Sequence, residues 1–326
     1  MILARSPLRV SLGGGGTDLP SYYREHGGFV LAAAIDKYVY VALNRTLVPE
    51  LIVKYSQTER VASAAEVRHP IVREALAAFG LPGPYLELVS LADIPAGTGL
   101  GSSGSFATAL LAALHAHRQG RPTARELAEQ ACRIEIERLG EPIGKQDPYI
   151  AAHGGVACLD FGPGERVEVS PLLASPQTLD RLQERLLLFY TGKSRSAGDI
   201  LKEQDDRTRA ADPSMIEGLH RVKRLGLASR DALERGDLAA FAGIMDDHWR
   251  LKRERSRAIT SPQIEAWHDL GMRHGALAGK LVGAGGGGFL LFYSEDPERL
   301  RHALGEAGLP EVRFRFVFEG ARVLVP

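Results

Sequence analysis

Pro95-Ala-Gly-Thr-Gly-Leu-Gly-Ser-Ser-Gly-Ser105 is the stretch on which the reading of this chain turns. The run from Tyr85 to Ser90 before it suits a strand, and Phe106 to His117 after it, rich in Ala and Leu, suits a buried helix. Glycines leave successive backbone N–H groups without Cβ atoms between them, so such a loop can wrap a phosphate. The helix N-terminus behind the loop adds partial positive charge. Pro95, Gly97, Gly99, Gly101 and Gly104 shape the loop, while Ser102, Ser103 and Ser105 offer hydroxyls to phosphate oxygens or to Mg2+. A glycine-rich turn capped by serine is the plainer alternative for the loop taken alone.

Rival patterns fit less well. Gly99, Gly101 and Gly104 satisfy the GxGxxG of dinucleotide-binding folds, but Asp93-Ile-Pro-Ala-Gly-Thr98 separates the preceding strand from the first glycine. Gly192-Lys193-Ser194 lacks the leading glycine of a Walker A loop, because position 187 is leucine. No GxSxG nucleophile elbow and no HExxH zinc pair occur.

Two more glycine clusters, Gly13–Gly16 and Gly283–Gly288, lie near the two ends of the chain. Each is flanked by apolar residues, which places it at the end of an element. Between them, Thr123 and Glu126 form a capping box for a helix that carries Glu135 near its end. Pro70 to Phe79 has helical spacing and a Gly80/Pro82 stop. Strands are expected at Ile2–Leu12, Phe29–Leu43, Arg185–Thr191 and Val312–Phe318, with Leu51–Tyr55 as a hairpin partner of the second. The segment from there to about Arg257 that follows Thr191 is helical and highly charged, which reads as solvated faces. Helices and strands mix without βαβ alternation, so the class is α+β. A length of 326 residues favours two domains, 1–175 and 176–326, with the break at Pro171, Ser175 and Pro176.

Composition narrows the function. Forty basic and forty acidic residues balance, which argues against nucleic acid or a membrane surface as partner. Cys132 and Cys158 form no CxxC pair, so a disulfide framework or cysteine-rich zinc site is not expected. Arg5 interrupts the first apolar residues too early for a signal peptide, and a cytoplasmic protein is expected.

The three glycine clusters together resemble a known family. Pro95–Ser105 resembles the second motif of the GHMP kinases (galactokinase, homoserine, mevalonate and phosphomevalonate kinases). Arg9-Val-Ser-Leu-Gly-Gly-Gly-Gly-Thr-Asp18 is similar to their first motif and Lys280-Leu-Val-Gly-Ala-Gly-Gly-Gly-Gly-Phe289 to their third, in the family's order. The resemblance implies a mixed α/β N-terminal domain, a ferredoxin-like C-terminal domain and a site between them that takes ATP and Mg2+. Gly14-Gly-Gly-Thr-Asp18 departs from the Gly-Glu-His-Thr-Asp of galactokinases. With Pro20, Tyr22 and Tyr23 it looks like the heptose 7-phosphate kinases and the kinase part of L-fucokinases. The absence of an appended pyrophosphorylase-like domain favours the former. Such enzymes phosphorylate the anomeric C1 hydroxyl of a small-molecule sugar phosphate and supply activated heptose for bacterial surface polysaccharides.

By the same resemblance Asp147, in Gly144-Lys-Gln-Asp-Pro148, is the catalytic aspartate, although Asp-Pro also reads as a helix cap. Arg9 would stabilise charge on the transferring phosphoryl group, and Ser103 and Glu135 would hold Mg2+. Gly15, Gly16, Thr17 and Asp18 are expected at the sugar, with Gly286 and Gly287 closing over it. Lys193 and Arg195 are the sequence candidates for a second anion site. The sequence leaves monomer and homodimer both open.

Overall fold

A computed structural model describes residues 1–193, 198–256 and 258–326. Strand β1 (Ile2–Gly13) leads through the first glycine cluster and helix α1 (Pro20–His26) into the long strand β2 (Gly28–Arg45). The two pair antiparallel from Ile2↔Leu43 to Gly13↔Leu31. β2 is buried without a break from Gly28 to Ile35, then alternates with Val39, Val41 and Leu43 inward. Its first half is thus covered on both faces and its second half on one.

The short strands β3 (Leu51–Lys54) and β4 (Thr58–Val61), a 3₁₀ turn at Ala64–Glu66 and helix α2 (Pro70–Ala78) lead to strand β5 (Leu86–Ala92). The expected hairpin between Leu51–Tyr55 and the second strand does not form. β5 takes that edge of β2, and β3 lies outside it, parallel to β5 and antiparallel to β4. Helix α3 (Ser102–His117) follows the Pro95–Ser105 glycine-rich loop and is buried at every position from Gly104 to Leu114, as its Ala- and Leu-rich sequence favours. Helix α4 (Ala124–Cys132) opens on the Thr123/Glu126 capping box and runs into a π-helical turn, Arg133–Arg138. Helix α5 (Gln146–His153) then leads to strands β6 (Val156–Phe161) and β7 (Val167–Pro171), and β6 pairs with the first half of β2.

The expected break near residues 175–176 falls between β7 and helix α6 (Pro176–Arg185). Strand β8 (Leu186–Tyr190) precedes helices α7 (Gly198–Arg209), α8 (Pro213–Glu234), α9 (Leu238–Arg255) and α10 (Pro262–Arg273). Strands β9 (Ala276–Leu281) and β10 (Phe289–Ser294) bracket the third glycine cluster, and helix α11 (Pro297–Glu306) precedes the last strand, β11 (Arg322–Val325). The second sheet has the order β8-β10-β9, and residues 310–312 lie along its β8 edge through a bridge from Phe189 to Glu311.

Val312–Phe318 is not a strand, because it divides its hydrogen bonds between the two sheets. Val312 N–H donates to Leu188 O at 2.8 Å in the second sheet, and Val317 N–H donates to Ala34 O at 3.0 Å in the first. Its alternation still holds, with Phe314 and Phe316 buried and Arg313 and Arg315 exposed. β11 then pairs with β1, so the end of the chain returns to the eight-stranded first sheet. No helix among the described residues is long and apolar enough to cross a membrane.

A separate apolar cluster lies under the second sheet, built on Phe189, Trp249, Leu290 and Phe292. Gly271 and Gly279 make room for the Phe292 ring, since a Cβ at either would stand 2.5 or 2.6 Å from it. Phe292→Ala is therefore expected to cost about 3–5 kcal/mol, read as a lower urea midpoint, because glycines on both sides cannot fill the hole.

Candidate active site

The three glycine clusters meet at one cleft of about 1050 Å³, part of it open to solvent. β1 supplies Arg9, Ser11 and the first cluster, α3 supplies Ser103, and α5 with its lead-in supplies Gly144, Gln146 and Asp147. α7, α9 and β9 close the other wall with Gln204, His248, Lys252, Arg255 and Lys280.

Arg9 and Asp147 form a two-pronged ion pair, with Nε to Oδ1 at 2.7 Å and Nη2 to Oδ2 at 2.9 Å. The remaining guanidinium arm donates to Gly99 O at 2.5 Å, and Arg9 N–H donates to Leu100 O at 3.0 Å, so β1 grips the phosphate loop. Gln146 Nε2 donates to Asp147 Oδ1 at 2.9 Å. The cap that Asp-Pro suggested is absent: α5 begins without a side-chain cap, and both Asp147 oxygens are occupied elsewhere. Gly104 is required by contact, because a Cβ there would lie 2.8 Å from Pro148 N and 2.9 Å from Asp147 Cβ. That close approach sets the N-terminus of α3 directly against Asp147.

Asp18 is placed less as a free acceptor than as a tie. Gly16 N–H and Gln146 N–H each donate to one of its oxygens at 3.0 Å, joining the first glycine cluster to the Asp147 segment. Burial raises its pKa, with the Gln146 N–H opposing and the Asp147 charge adding to the rise. Gly144 has no room for a side chain, since a Cβ would fall 1.9 Å from Asp18 Oδ2.

Glu135 stands in the π-helical turn, a distortion often found at functional positions. It is 2% exposed, and its Oε1 has no hydrogen-bond partner. Burial pushes its pKa up to about 8, the Ser103 hydroxyl bond works against that, and the Asp147 charge adds to it. A buried carboxylate oxygen without a donor, beside a serine hydroxyl and a second carboxylate, fits a divalent cation held mainly by phosphates. No cluster of three or more His, Cys, Asp or Glu that could hold a metal occurs among the described residues, and Mg2+ in such a site needs none.

Several expected residues lie elsewhere. Thr17 is fully buried, its hydroxyl bonding Gly14 O at 2.9 Å and Phe29 O at 2.8 Å, so it holds the turn and not the sugar. The Ser105 hydroxyl points inward to Pro7 O at 2.7 Å. Gly286 N–H donates to Ile259 O and Gly287 packs against Lys193, and of this cluster it is Gly283, with Ala284, that lines the cleft. Lys193 is exposed with its ammonium 5.8 Å from the Trp267 ring centre, outside the cleft, and Arg195 lies outside the described residues. Among the loop residues, Ser103 reaches the cleft, and Pro95 and Gly97 are exposed beside it in sequence.

Sequence reasoning missed the basic side chains on the far wall, of which His248 is held neutral by burial and by the nearby Lys280 and Arg255 charges. His248, Lys252 and Arg255 sit at one-turn spacings on α9, and Lys280 enters from β9. The i, i+4, i+7 pattern was the available signal, obscured by neighbouring Arg253 and Glu254, which do face solvent.

A glycine-rich loop at a helix N-terminus, an arginine-clamped aspartate and an orphaned buried carboxylate are parts that phosphoryl transfer uses. Comparison with known proteins carries this further. The GHMP kinases N terminal domain model matches residues 61–155 and the GHMP kinases C terminal model matches residues 229–309. The chain is 29% identical to a D-glycero-alpha-D-manno-heptose 7-phosphate kinase of Campylobacter jejuni, with 91% of each chain covered. It is 28% identical to the L-fucokinase/L-fucose-1-P guanylyltransferase of Bacteroides fragilis, spanning 97% of this chain and 37% of that protein. Its fold superposes on the crystal structure of a D-glycero-D-manno-heptose 1-phosphate kinase from Bacteroides thetaiotaomicron with a TM-score of 0.82, at 25% identity, covering 100% and 99% of the two chains. The chain belongs to the GHMP kinases, and within them it is an ATP-dependent sugar kinase.

The folded state holds a proton on Glu135 that the unfolded chain loses near the ordinary value of 4.5. This group's contribution to stability therefore falls as pH rises from about 4.5 to about 8 and is fully lost above that. In EDTA, Glu135→Gln should raise Tm by a few degrees at pH 9 and by much less at pH 5. Equal shifts at both pH values would remove the buried, metal-free carboxylate from the account.

Proposed function

We propose that this chain transfers the γ-phosphoryl group of ATP to the anomeric C1 hydroxyl of D-glycero-D-manno-heptose 7-phosphate. The product would be the 1,7-bisphosphate, made in the cytoplasm for activated heptose in bacterial surface polysaccharides. The observation that carries the reading is the Arg9–Asp147 pair, facing a cleft between the phosphate loop and a cationic wall. The likeness to a heptose 7-phosphate kinase over nearly the whole chain supports the choice of sugar.

Each part of the transfer has a residue. Backbone amides at the start of α3 hold nucleotide phosphates, where Gly101, the residue before the helix, has φ 79° and leaves the loop open. Asp147 accepts the proton of the acceptor hydroxyl or orients that hydroxyl, held in one rotamer by Arg9 and Gln146. Arg9 also brings positive charge to the place where the phosphoryl group passes, fixed before the substrates arrive. Ser103 and Glu135 would hold Mg2+, which supplies charge neutralisation to the β- and γ-phosphates when bound. Asp18 keeps the first glycine cluster against the Asp147 segment.

A second reading, an L-fucose or other hexose 1-kinase, has the Bacteroides fragilis likeness behind it. ADP release with Mg·ATP across heptose 7-phosphate, L-fucose, galactose, mannose and mevalonate separates the two. Turnover with heptose 7-phosphate is the expected result, and efficient turnover with an unphosphorylated hexose alone would select the second reading. Asp147→Asn should lower kcat by about 10²–10⁴-fold with ATP affinity near wild type. An unchanged kcat in that variant removes Asp147 from the chemistry.

A further inference from the structure

The far wall of the cleft concentrates positive charge with nothing to balance it. Arg255 donates from Nη1 to Gln204 Oε1 at 3.2 Å, and its Nε is buried with no partner. Lys280 donates once, to Leu12 O at 3.1 Å, leaving two of its three donors free for a ligand. His248 is 7% exposed, with Nε2 unpartnered. Among the described residues none of Lys252, Arg255 and Lys280 forms a salt bridge. Burial pushes Lys280 down to about 7 with the Arg9 charge adding to the fall, and burial brings Arg255 down to about 10. Holding Lys280 buried and Arg255 partly buried without counter-ions is costly, and their convergence on one cleft points to an anion that arrives from outside.

Nucleotide phosphates already have a seat on the opposite side. Gly101 and Gly104 of the phosphate loop adjoin Asp147, with a Cβ at Gly101 falling 3.1 Å from Asp147 Cγ. Arg255 adjoins the first glycine cluster instead, where a Cβ at Gly16 would fall 3.0 Å from its Nη1. Gln204, its partner, also donates to Gly16 O at 2.9 Å. Asp147 contacts the phosphate loop on one side and, through Gln146 and Asp18, the first glycine cluster on the other. The reacting centre therefore lies between two anion-accepting regions. Lys252 lies nearer the Gly97–Gly104 loop, bonding Gly283 O at 2.5 Å beside Gly99.

We propose that Arg255, Lys280 and His248 seat a phosphate monoester carried by the acceptor sugar, remote from the hydroxyl that is phosphorylated. This rests on the sugar-kinase reading of the cleft. The seat makes the enzyme selective for an acceptor that already bears a phosphate. It takes that role in place of Lys193, which lies outside the cleft.

The test compares D-glycero-D-manno-heptose 7-phosphate with the same heptose lacking its phosphate, using wild type, Arg255→Leu and Arg255→Lys. The wild type should prefer the phosphorylated acceptor, and Arg255→Leu should reduce the ratio of the two kcat/KM values by at least about 30-fold. Arg255→Lys, which keeps the charge, should fall between and controls for folding. A ratio left intact while both values drop together overturns the proposal, as does a change confined to the KM for ATP, which would give these cations to the nucleotide. If wild type turns over neither heptose, the sugar reading fails separately. Calorimetry with inorganic phosphate, at saturating Mg2+ and a non-hydrolysable ATP analogue, then decides the seat alone. Binding weakened about 30-fold in Arg255→Leu upholds it, and binding that is equal in both proteins, or abolished by the analogue, overturns it.

Discussion

The ion pair between Arg9 and Asp147 is the contact around which this molecule is arranged. A guanidinium meeting a carboxylate through two N–H···O bonds has one orientation, so the pair sets β1 and α5 in a single relation. The third arm of Arg9 reaches Gly99 O and brings the Pro95–Ser105 loop into the same frame. Residues 138 apart in sequence are joined there, and the space around them is bought with glycine at positions 101, 104 and 144. A methyl group at Gly104 or Gly144 would overlap backbone or carboxylate atoms, so the packing tolerance of the centre is near zero.

Around that pair the protein keeps groups in states that oppose its own stability. Glu135 is buried with an unpaired oxygen, and the cations of α9 and β9 are desolvated without carboxylates. Both strains would be relieved by ligands of opposite sign, the first by a cation and the second by anions. Sites organised in this way trade stability of the empty protein for strength of electrostatic interaction when substrates fill the cleft. The second sheet, with its own apolar cluster on Trp249 and Phe292, gives α9 a rigid base from which to hold those charges.

Much of the fold was legible along the chain. The Thr123/Glu126 capping box, the Gly80 stop of α2 and the all-apolar α3 are local patterns, and each appears where short-range physics puts it. The failures were matters of partnership. Leu51–Lys54 is a strand, but β5 and not β2 is its neighbour, and nothing local distinguishes the two edges. Val312–Phe318 alternates as a strand should, yet its hydrogen bonds go to two different sheets. Thr17 was expected at the sugar from its motif and Ser105 at the phosphates as a hydroxyl beside a glycine loop, and neither signal records on which side of the backbone the hydroxyl lies.

The sequence by itself determined the class of the protein: three ordered glycine clusters, Arg9, Asp18, Glu135 and Asp147 are contiguous or regularly spaced signals, and a short peptide carries each of them whole. Only the tertiary structure decided which basic side chains line the cleft. Arg255 and Lys280 come from a helix and a strand separated by α10, and their charges look in sequence like any others on a charged surface. Whether a lysine or arginine is solvated or desolvated depends on what packs over it. That is a property of distant segments brought together, which local periodicity does not encode.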